Sequence, residues 1–317
     1  MNSFTRLFLC WFMMFSSALV LAENDAESVM NRADRLASLR DRIVADHVSW
    51  SEEYAKEDTQ FAKKQMANYE QFGKRVNAKS IPSASPLKVR GVQVRFVNMS
   101  GLKRPGYEGD SSRSVLHLAS GQLRAGPDVL SVKQESSKAG KSLESLLAEG
   151  VRGSGDLAVL ENSVLIPSGR YAKLGDANLQ SYSGVDLSGQ VKEHDPTCML
   201  RKGEVLLIET TQKKYALVQY LGKYQEQVLL CVAYQPNGSA VFEFGPLLRP
   251  KEVNYAEADI NPHDLAVSMF VHNRETFFWK EVKALTGQLK NMEKDARLSQ
   301  KQQQDAKQIK KKLGITK

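Results

Sequence analysis

Few residues have the types and spacing that a catalytic or ligand-binding site requires. The segment that comes nearest to such a motif is a partial phosphate-binding loop. Ala139-Gly140-Lys141-Ser142 has the closing Gly-Lys-Ser of that motif and opens a short predicted helix. The first glycine of the motif would fall at Glu135, where a carboxylate repels phosphate and cannot supply the tight turn. We therefore interpret the segment as a loop that caps a helix.

Histidine and cysteine give no recognisable catalytic or metal-binding set. His194-Asp195 lies near Cys198, but no further His or Cys follows at the spacing typical of zinc ligands. The sequence therefore predicts no metal site, no cofactor and no catalytic residue. It favours a protein that is not an enzyme.

Positive charge is concentrated at the carboxyl end of the chain. Residues 294–317 include eight Lys or Arg against two Asp, and the tightest cluster is Lys307, Lys310, Lys311 and Lys312. Such a segment is typical of attraction to an anionic partner, which makes these four lysines candidate anion-binding residues. The alternative is a solvated helix end, because lysine near a helix carboxyl terminus is stabilised by the helix dipole.

The amino end predicts export. Arg6 precedes a mostly apolar run over 7–21, and Val20-Leu21-Ala22 is followed at once by Glu23. This order is that of a cleavable secretory signal. The run of about 15 residues is shorter than the roughly 20 that a membrane-spanning helix needs, so cleavage is favoured over a retained anchor. We expect residues 1–22 to be removed and the mature protein to be periplasmic or secreted.

Export bears on the two cysteines that would remain after cleavage, Cys198 and Cys231. Cysteines in an oxidising compartment are commonly paired, so we predict a disulfide between them. It would close a loop of about 34 residues and stabilise the fold by about 4 kcal/mol in the chain-entropy description. Two buried free thiols are the alternative.

The elements that would position these residues follow from the spacing of apolar side chains. Residues 23–79 carry a helical, aromatic-rich stripe, as one helix or as two joined near 47–51, and the Pro- and Ser-rich stretch 80–86 is typical of a linker. A β-rich body follows over 87–255. The next region, 256–296, is a carboxy-terminal helix that Asn261-Pro262 would begin. In the basic tail, 297–317, the apolar stripe fades, which predicts a frayed segment.

The strand pattern gives the fold class. It is strongest in 199–245, where 204–209, 215–220, 227–234 and 240–244 are predicted strands, and Val129 to Val132 is a further short candidate. We therefore predict an α+β protein in which small antiparallel β-barrel or sandwich units are flanked by long amino- and carboxy-terminal helices.

Two functions are compatible with these features. The favoured one is an exported, non-catalytic binding or assembly protein of the cell envelope or periplasm, whose basic tail engages an anionic partner. The partner would be an envelope protein or an anionic envelope surface rather than nucleic acid, and the terminal helices offer a route to homo-oligomers. The alternative is an exported hydrolase that acts on an envelope glycan or peptide through scattered carboxylates.

Overall fold

The computed structural model describes residues 3–78, 92–107, 110–160, 163–253 and 260–315, with side chains from Asp25 onward apart from that of Asp176. The predicted linker 80–86 lies outside these residues. The chain divides into two compact units. The helical unit joins Met1–Ala84 with Thr276–Lys317, and the β unit is Ser85–Glu275.

The described residues form six α-helices and two antiparallel sheets, so the predicted α+β class is confirmed. The helices are α1 (Ser3–Tyr54), α2 (Gln60–Arg75), α3 (Val129–Ala139), α4 (Leu143–Arg152), α5 (Pro262–Met292) and α6 (Gln300–Lys312). The strands are β1 (Gln93–Ser100), β2 (Val115–His117), β3 (Gln122–Arg124), β4 (Leu157–Leu160), β5 (Ser163–Leu165), β6 (Arg170–Asp176), β7 (Lys192–Glu193), β8 (Thr197–Met199), β9 (Glu204–Glu209), β10 (Tyr215–Tyr224) and β11 (Gln227–Gln235).

The helical unit is held together by one core to which both ends of the chain contribute. Its buried side chains come from α1, α2, the second half of α5 and α6, and include Leu36, Ile43, Phe72, Phe278, Leu285 and Ile309. The amino- and carboxy-terminal helices therefore pack on each other. In the part of the chain that is described, no helix is long and apolar enough to cross a membrane.

The junction between the first two helices lies later in the chain than the sequence predicts. We expected it near 47–51, but α1 continues to Tyr54 and α2 begins at Gln60. His47 is buried and its ring stacks on that of Tyr69, at 4.0 Å between centroids, so this polar residue belongs to the packed face. The break comes where the Thr59 side chain accepts a hydrogen bond from the Ala62 amide, which caps α2.

The β unit contains two sheets that pack on each other. One has the strand order β1-β11-β10-β9-β6-β7 and the other β3-β2-β4-β5-β8. Alternate residues of both sheets, such as Leu206 and Leu230 in the first and Leu157 and Val164 in the second, share one buried core. The described strands leave both sheets open at their ends, so a closed barrel is not confirmed.

Helices cover the outer faces of the two sheets. Leu147 and Val151 of α4 pack on Val115 and Leu165 of the five-stranded sheet. On the other sheet, Phe270 in the first half of α5 meets Phe96 of β1 edge to face, with 5.6 Å between ring centroids. Strands β9 and β11 are thus removed from water on both faces, which explains why most of their residues are apolar.

Two strand predictions are wrong. Val129 to Val132 begins helix α3, because the Asp128 side chain accepts a hydrogen bond from the Leu130 amide and caps a helix there. The segment 240–244 does not form a strand either, and it contributes only the isolated bridges Ser183 to Phe242 and Asp186 to Val241. Both segments are apolar and short, a pattern that does not distinguish strands from other buried backbone.

Candidate functional site

The basic carboxyl segment is a packed helix rather than a frayed tail. Ser299 and Gln302 form a capping box at the start of α6, in which each side chain bonds the backbone of the other residue. Ala306, Ile309 and Leu313 then lie in the core of the helical unit. Their helical spacing is hidden in the sequence among Lys and Gln, which is why the tail prediction is wrong.

Helix α6 ends against the end of α2. Gly314 has the left-handed φ of 73°, and a Cβ atom on it would lie 2.5 Å from the carbonyl oxygen of Arg75 and 3.0 Å from the Cα of Val76. Only glycine permits this approach. The contact brings the backbone at the end of α2, just after Lys74-Arg75, against the end of the helix that carries Lys307, Lys310, Lys311 and Lys312. We call these six residues the basic end of the helical unit.

A buried arginine from α1 ties the two helix ends together. The Arg40 guanidinium donates to the carbonyl oxygen of Val76 at 3.0 Å and pairs with Asp41 at 2.5 Å. The second carboxylate oxygen of Asp41 lies 3.1 Å from the Lys312 ammonium. Three helices therefore meet at the basic end, which gives it a defined geometry.

The four candidate anion-binding lysines divide into two pairs. Lys310 is 13% exposed and lies 2.6 Å from a carboxylate oxygen of Glu293, and Lys312 is paired with Asp41. Lys307 and Lys311 are exposed, lie one helical turn apart, and form no ion pair with any described residue. The latter pair is the part of the predicted site that is open to an external anion.

The residues that sequence reasoning missed are Lys74 and Arg75. Lys74 lies 3.7 Å from a carboxylate oxygen of Glu70, and both side chains are exposed. The Arg75 guanidinium lies over the Trp279 ring, 3.7 Å from its centroid, which orients the charge without neutralising it. No local signal marks these two residues, because they meet the carboxyl cluster only through the fold.

Electrostatics at the basic end combine helix dipoles with side-chain charges. The carboxyl ends of α2 and α6 lie side by side, and each carries partial negative charge on its last carbonyl groups. Lys74 and Arg75 in the last turn of α2, and Lys310 to Lys312 in the last turn of α6, offset that charge. Part of the cation cluster thus has a structural role, while the solvent face of α6 keeps its excess charge at Lys307 and Lys311.

The β unit has a polar groove of about 700 Å³, and Ser142, the last residue of the partial phosphate-loop motif, lies in its lining. Gly140, with φ 65°, ends α3, and the Ser142 side chain caps α4 by accepting from the Ser145 amide. The segment therefore joins two helices and does not follow a strand, as a phosphate loop must. Lys141 is paired with Glu149 at 3.2 Å.

The carboxylates that line this groove are not arranged as a catalytic pair. They are Glu144, Glu149 and Asp195, and all three side chains are exposed. A general acid in a hydrolase needs an apolar setting, and none of these three is removed from water. The groove therefore offers polar contacts without the usual machinery for hydrolysis.

The cluster around His194 and Cys198 does not form a metal or nucleophile site. His194 lies on the ring of Tyr171, with 4.6 Å between centroids, and no group of three or more metal-ligating side chains occurs in the described part of the chain. Burial raises the pKa of the Cys198 thiol. Burial is also the largest cause that raises the pKa of the Tyr171 hydroxyl, to about 12. Both groups are therefore held in their neutral forms, whereas a nucleophilic cysteine needs a lowered pKa.

The predicted disulfide is absent: Cys198 and Cys231 are both free and buried. Cys198 on β8 faces the core between the two sheets, together with Leu230 and Val232 of β11. Side chains alternate along a strand, so Cys231 points to the opposite face of its sheet. Its sulfur is thus separated from Cys198 by the sheet itself, and burial raises the pKa of its thiol.

Comparisons with known proteins do not assign the chain to a family. No family model matches the chain, and neither a curated protein nor a solved structure is similar to it.

Proposed function

We propose that this chain is an exported, non-catalytic binding or assembly protein of the cell envelope or periplasm that engages an anionic partner through the basic end. The observation that supports this most is the approach of Gly314 to the Arg75 backbone, which brings together the ends of two helices whose last turns are basic. Neither Lys307 nor Lys311 forms an ion pair with a described residue, and Lys307 lies before the last turn of α6, so their charge is available to an external anion.

The chemistry of the partner follows from this surface. Exposed lysines on the outer side of a packed helix attract extended negative charge, such as that of anionic lipids, at about 1 kcal/mol for each lysine near the surface. The attraction falls off over a Debye length of about 8 Å at physiological salt. An anionic envelope surface fits these properties better than a small ligand, which would need an enclosed pocket. A hydrolase has less support, since the groove carboxylates all contact water.

The test must keep α6 intact, because deletion of 297–317 would remove Ile309 and Leu313 from the core. We expect the double variant Lys307→Gln, Lys311→Gln to fold normally and to bind vesicles of anionic phospholipid roughly 30-fold more weakly, since two lysines contribute about 2 kcal/mol. Co-sedimentation of the full chain with vesicles at low and high salt measures this.

A matched control removes the same charge elsewhere in the helical unit. Lys56 after α1 and Lys64 on α2 are exposed and flank the turn between these two helices, ten or more residues along the chain from Asp41 and Lys74. The variant Lys56→Gln, Lys64→Gln should bind nearly as well as the original protein. Equal losses in both variants would mean that only net charge matters, and binding that is insensitive to salt and to all four lysines would refute the proposal.

A further inference from the structure

Strand β1 is the end strand of the six-stranded sheet, and part of its backbone faces outward. It pairs with β11 on one side only, for example Arg95 with Val232 and Val97 with Leu230. The Arg113 guanidinium donates to the carbonyl oxygen of Asn98 at 3.2 Å, so that carbonyl points away from β11. Because the direction alternates along a strand, the N–H and C=O groups of residues 94 and 96 face the same open edge.

No other strand among the described residues pairs with this stretch of edge. Among the described residues, no backbone hydrogen bond from another segment reaches the outward groups of Val94 or Phe96. The side chain of Val94 is 36% exposed. An uncovered edge of this kind presents unpaired donors and acceptors to any extended chain that approaches it.

A groove of about 350 Å³ lies along the same edge. Leu248 is 70% exposed, which is among the highest values for a large apolar residue of the described chain. Several of its neighbours in the groove are also apolar. The side chains that line it include Val94, Phe96, Pro246, Leu247, Leu248 and His263. An added strand would place every second side chain in this groove, because side chains alternate between the two faces.

Arg95 brings positive charge to the groove and forms no ion pair with a carboxylate of the described residues. Arg95 lines the groove and donates to the carbonyl oxygens of Leu118 at 3.3 Å and Ala119 at 2.9 Å, and also to the side-chain oxygen of Gln93. All three acceptors are neutral. The guanidinium thus keeps its full charge beside an apolar groove, a combination complementary to a carboxylate flanked by apolar side chains.

We propose that β1 and this groove bind an extended peptide segment that alternates apolar residues and carries an acidic side chain. The segment would add as a strand at Val94 and Phe96, fill the groove with alternate side chains, and pair its carboxylate with Arg95. Main-chain hydrogen bonds supply affinity in this mode of recognition, while the pockets and the charge give specificity. The inference concerns the β unit and does not depend on the basic end.

The test uses the full chain and fluorescent, terminally blocked hexapeptides in which Val and Thr alternate and one Asp occupies each position in turn. Binding is followed by fluorescence polarisation. The variant Val94→Pro removes only an outward N–H, a place where a strand tolerates proline, and Val94→Thr is its control. Arg95→Gln removes the charge, and Arg124→Gln is its control because Arg124 also bonds only neutral oxygens, on β3.

We expect at least one Asp peptide to bind, with roughly tenfold losses for Val94→Pro and for Arg95→Gln and none for the two controls. The same peptide should lose binding when its Asp is replaced by Lys or its alternate amides are methylated, which tests the proposal without altering the protein. Absence of binding across the panel, or equal binding by Val94→Pro and Val94→Thr, would overturn it. A dimer of the free protein that Val94→Pro converts to a monomer would also overturn it, since a second copy would then occupy the edge.

Discussion

Single residues decide whether the basic end forms at all. The ends of α2 and α6 can meet only because Gly314 has no side chain at the contact with α2. Arg40 then holds the arrangement through a buried hydrogen bond to the Val76 carbonyl oxygen, and it also pairs with the partly exposed Asp41. The position of the charges is therefore a packing property as much as an electrostatic one.

The variant Gly314→Ala should destabilise the helical unit by more than the roughly 1–2 kcal/mol that the left-handed conformation alone costs an L-residue, because its Cβ also meets the Arg75 carbonyl oxygen. Gly287 provides a control of opposite sign: it lies within α5 with no other atom within 4 Å of an added Cβ. Gly287→Ala should stabilise by up to about 1 kcal/mol. Denaturant unfolding followed by far-ultraviolet circular dichroism measures both, and a shared direction would contradict this account.

At the residue scale, the sequence located the charged residues but not the residues that pair with them in the fold. It identified Lys307, Lys310, Lys311 and Lys312, whereas the pairing of Lys310 with Glu293 and of Lys312 with Asp41 depends on packing between helices. The disulfide failed for a related reason. Spacing along the chain does not indicate that Cys198 and Cys231 point to opposite faces of a sheet.

Among the elements, α6 differs most from expectation. Its polar composition concealed three inward side chains, and its start is fixed by the Ser299 capping box. The helix thus belongs to the core of the helical unit and also carries the exposed lysines of the basic end. These two roles are separable, because the inward and outward faces use different residues.

A substitution on the inward face of α6 should therefore destabilise the helical unit, whereas one on the outward face should not. Leu313→Ala removes a side chain that is fully buried in the helical core and should cost about 2–5 kcal/mol of unfolding free energy. Lys307→Gln on the exposed face should change it by no more than about 0.5 kcal/mol. Trypsin should cleave within 297–312 rapidly in the first variant only, and rapid cleavage in the original protein would refute the packed helix.

Elements with strong periodicity were predicted well. Strand β9 has the bounds expected from the sequence, and β10 begins where predicted but continues to Tyr224. Short apolar runs were ambiguous, and at Val129 the cap from Asp128 decided in favour of a helix. The sheet order, and with it the open edge at Val94, arises from pairings between distant strands that no local pattern encodes.

For the whole molecule, the proposal of export has a direct test. It rests on the order of Arg6, the apolar run over 7–21 and Val20-Leu21-Ala22 in the sequence. We expect protein from its native host to begin near Glu23 and to be recovered outside the cytoplasm. Amino-terminal sequencing measures this, and an intact Met1 in a cytoplasmic fraction would disprove it.

The division of the chain into units has a consequence for the order of folding. The β unit is one continuous segment, whereas the helical unit needs residues from both ends, such as Leu36 and Ile309. Contacts between distant segments form slowly, because the loop between them must first be closed. The β unit can fold while the last helix is still being synthesised or translocated, and α1 must wait for α6. Until then, the amino-terminal apolar stripe lacks part of its cover and is the segment most exposed to chaperones and proteases.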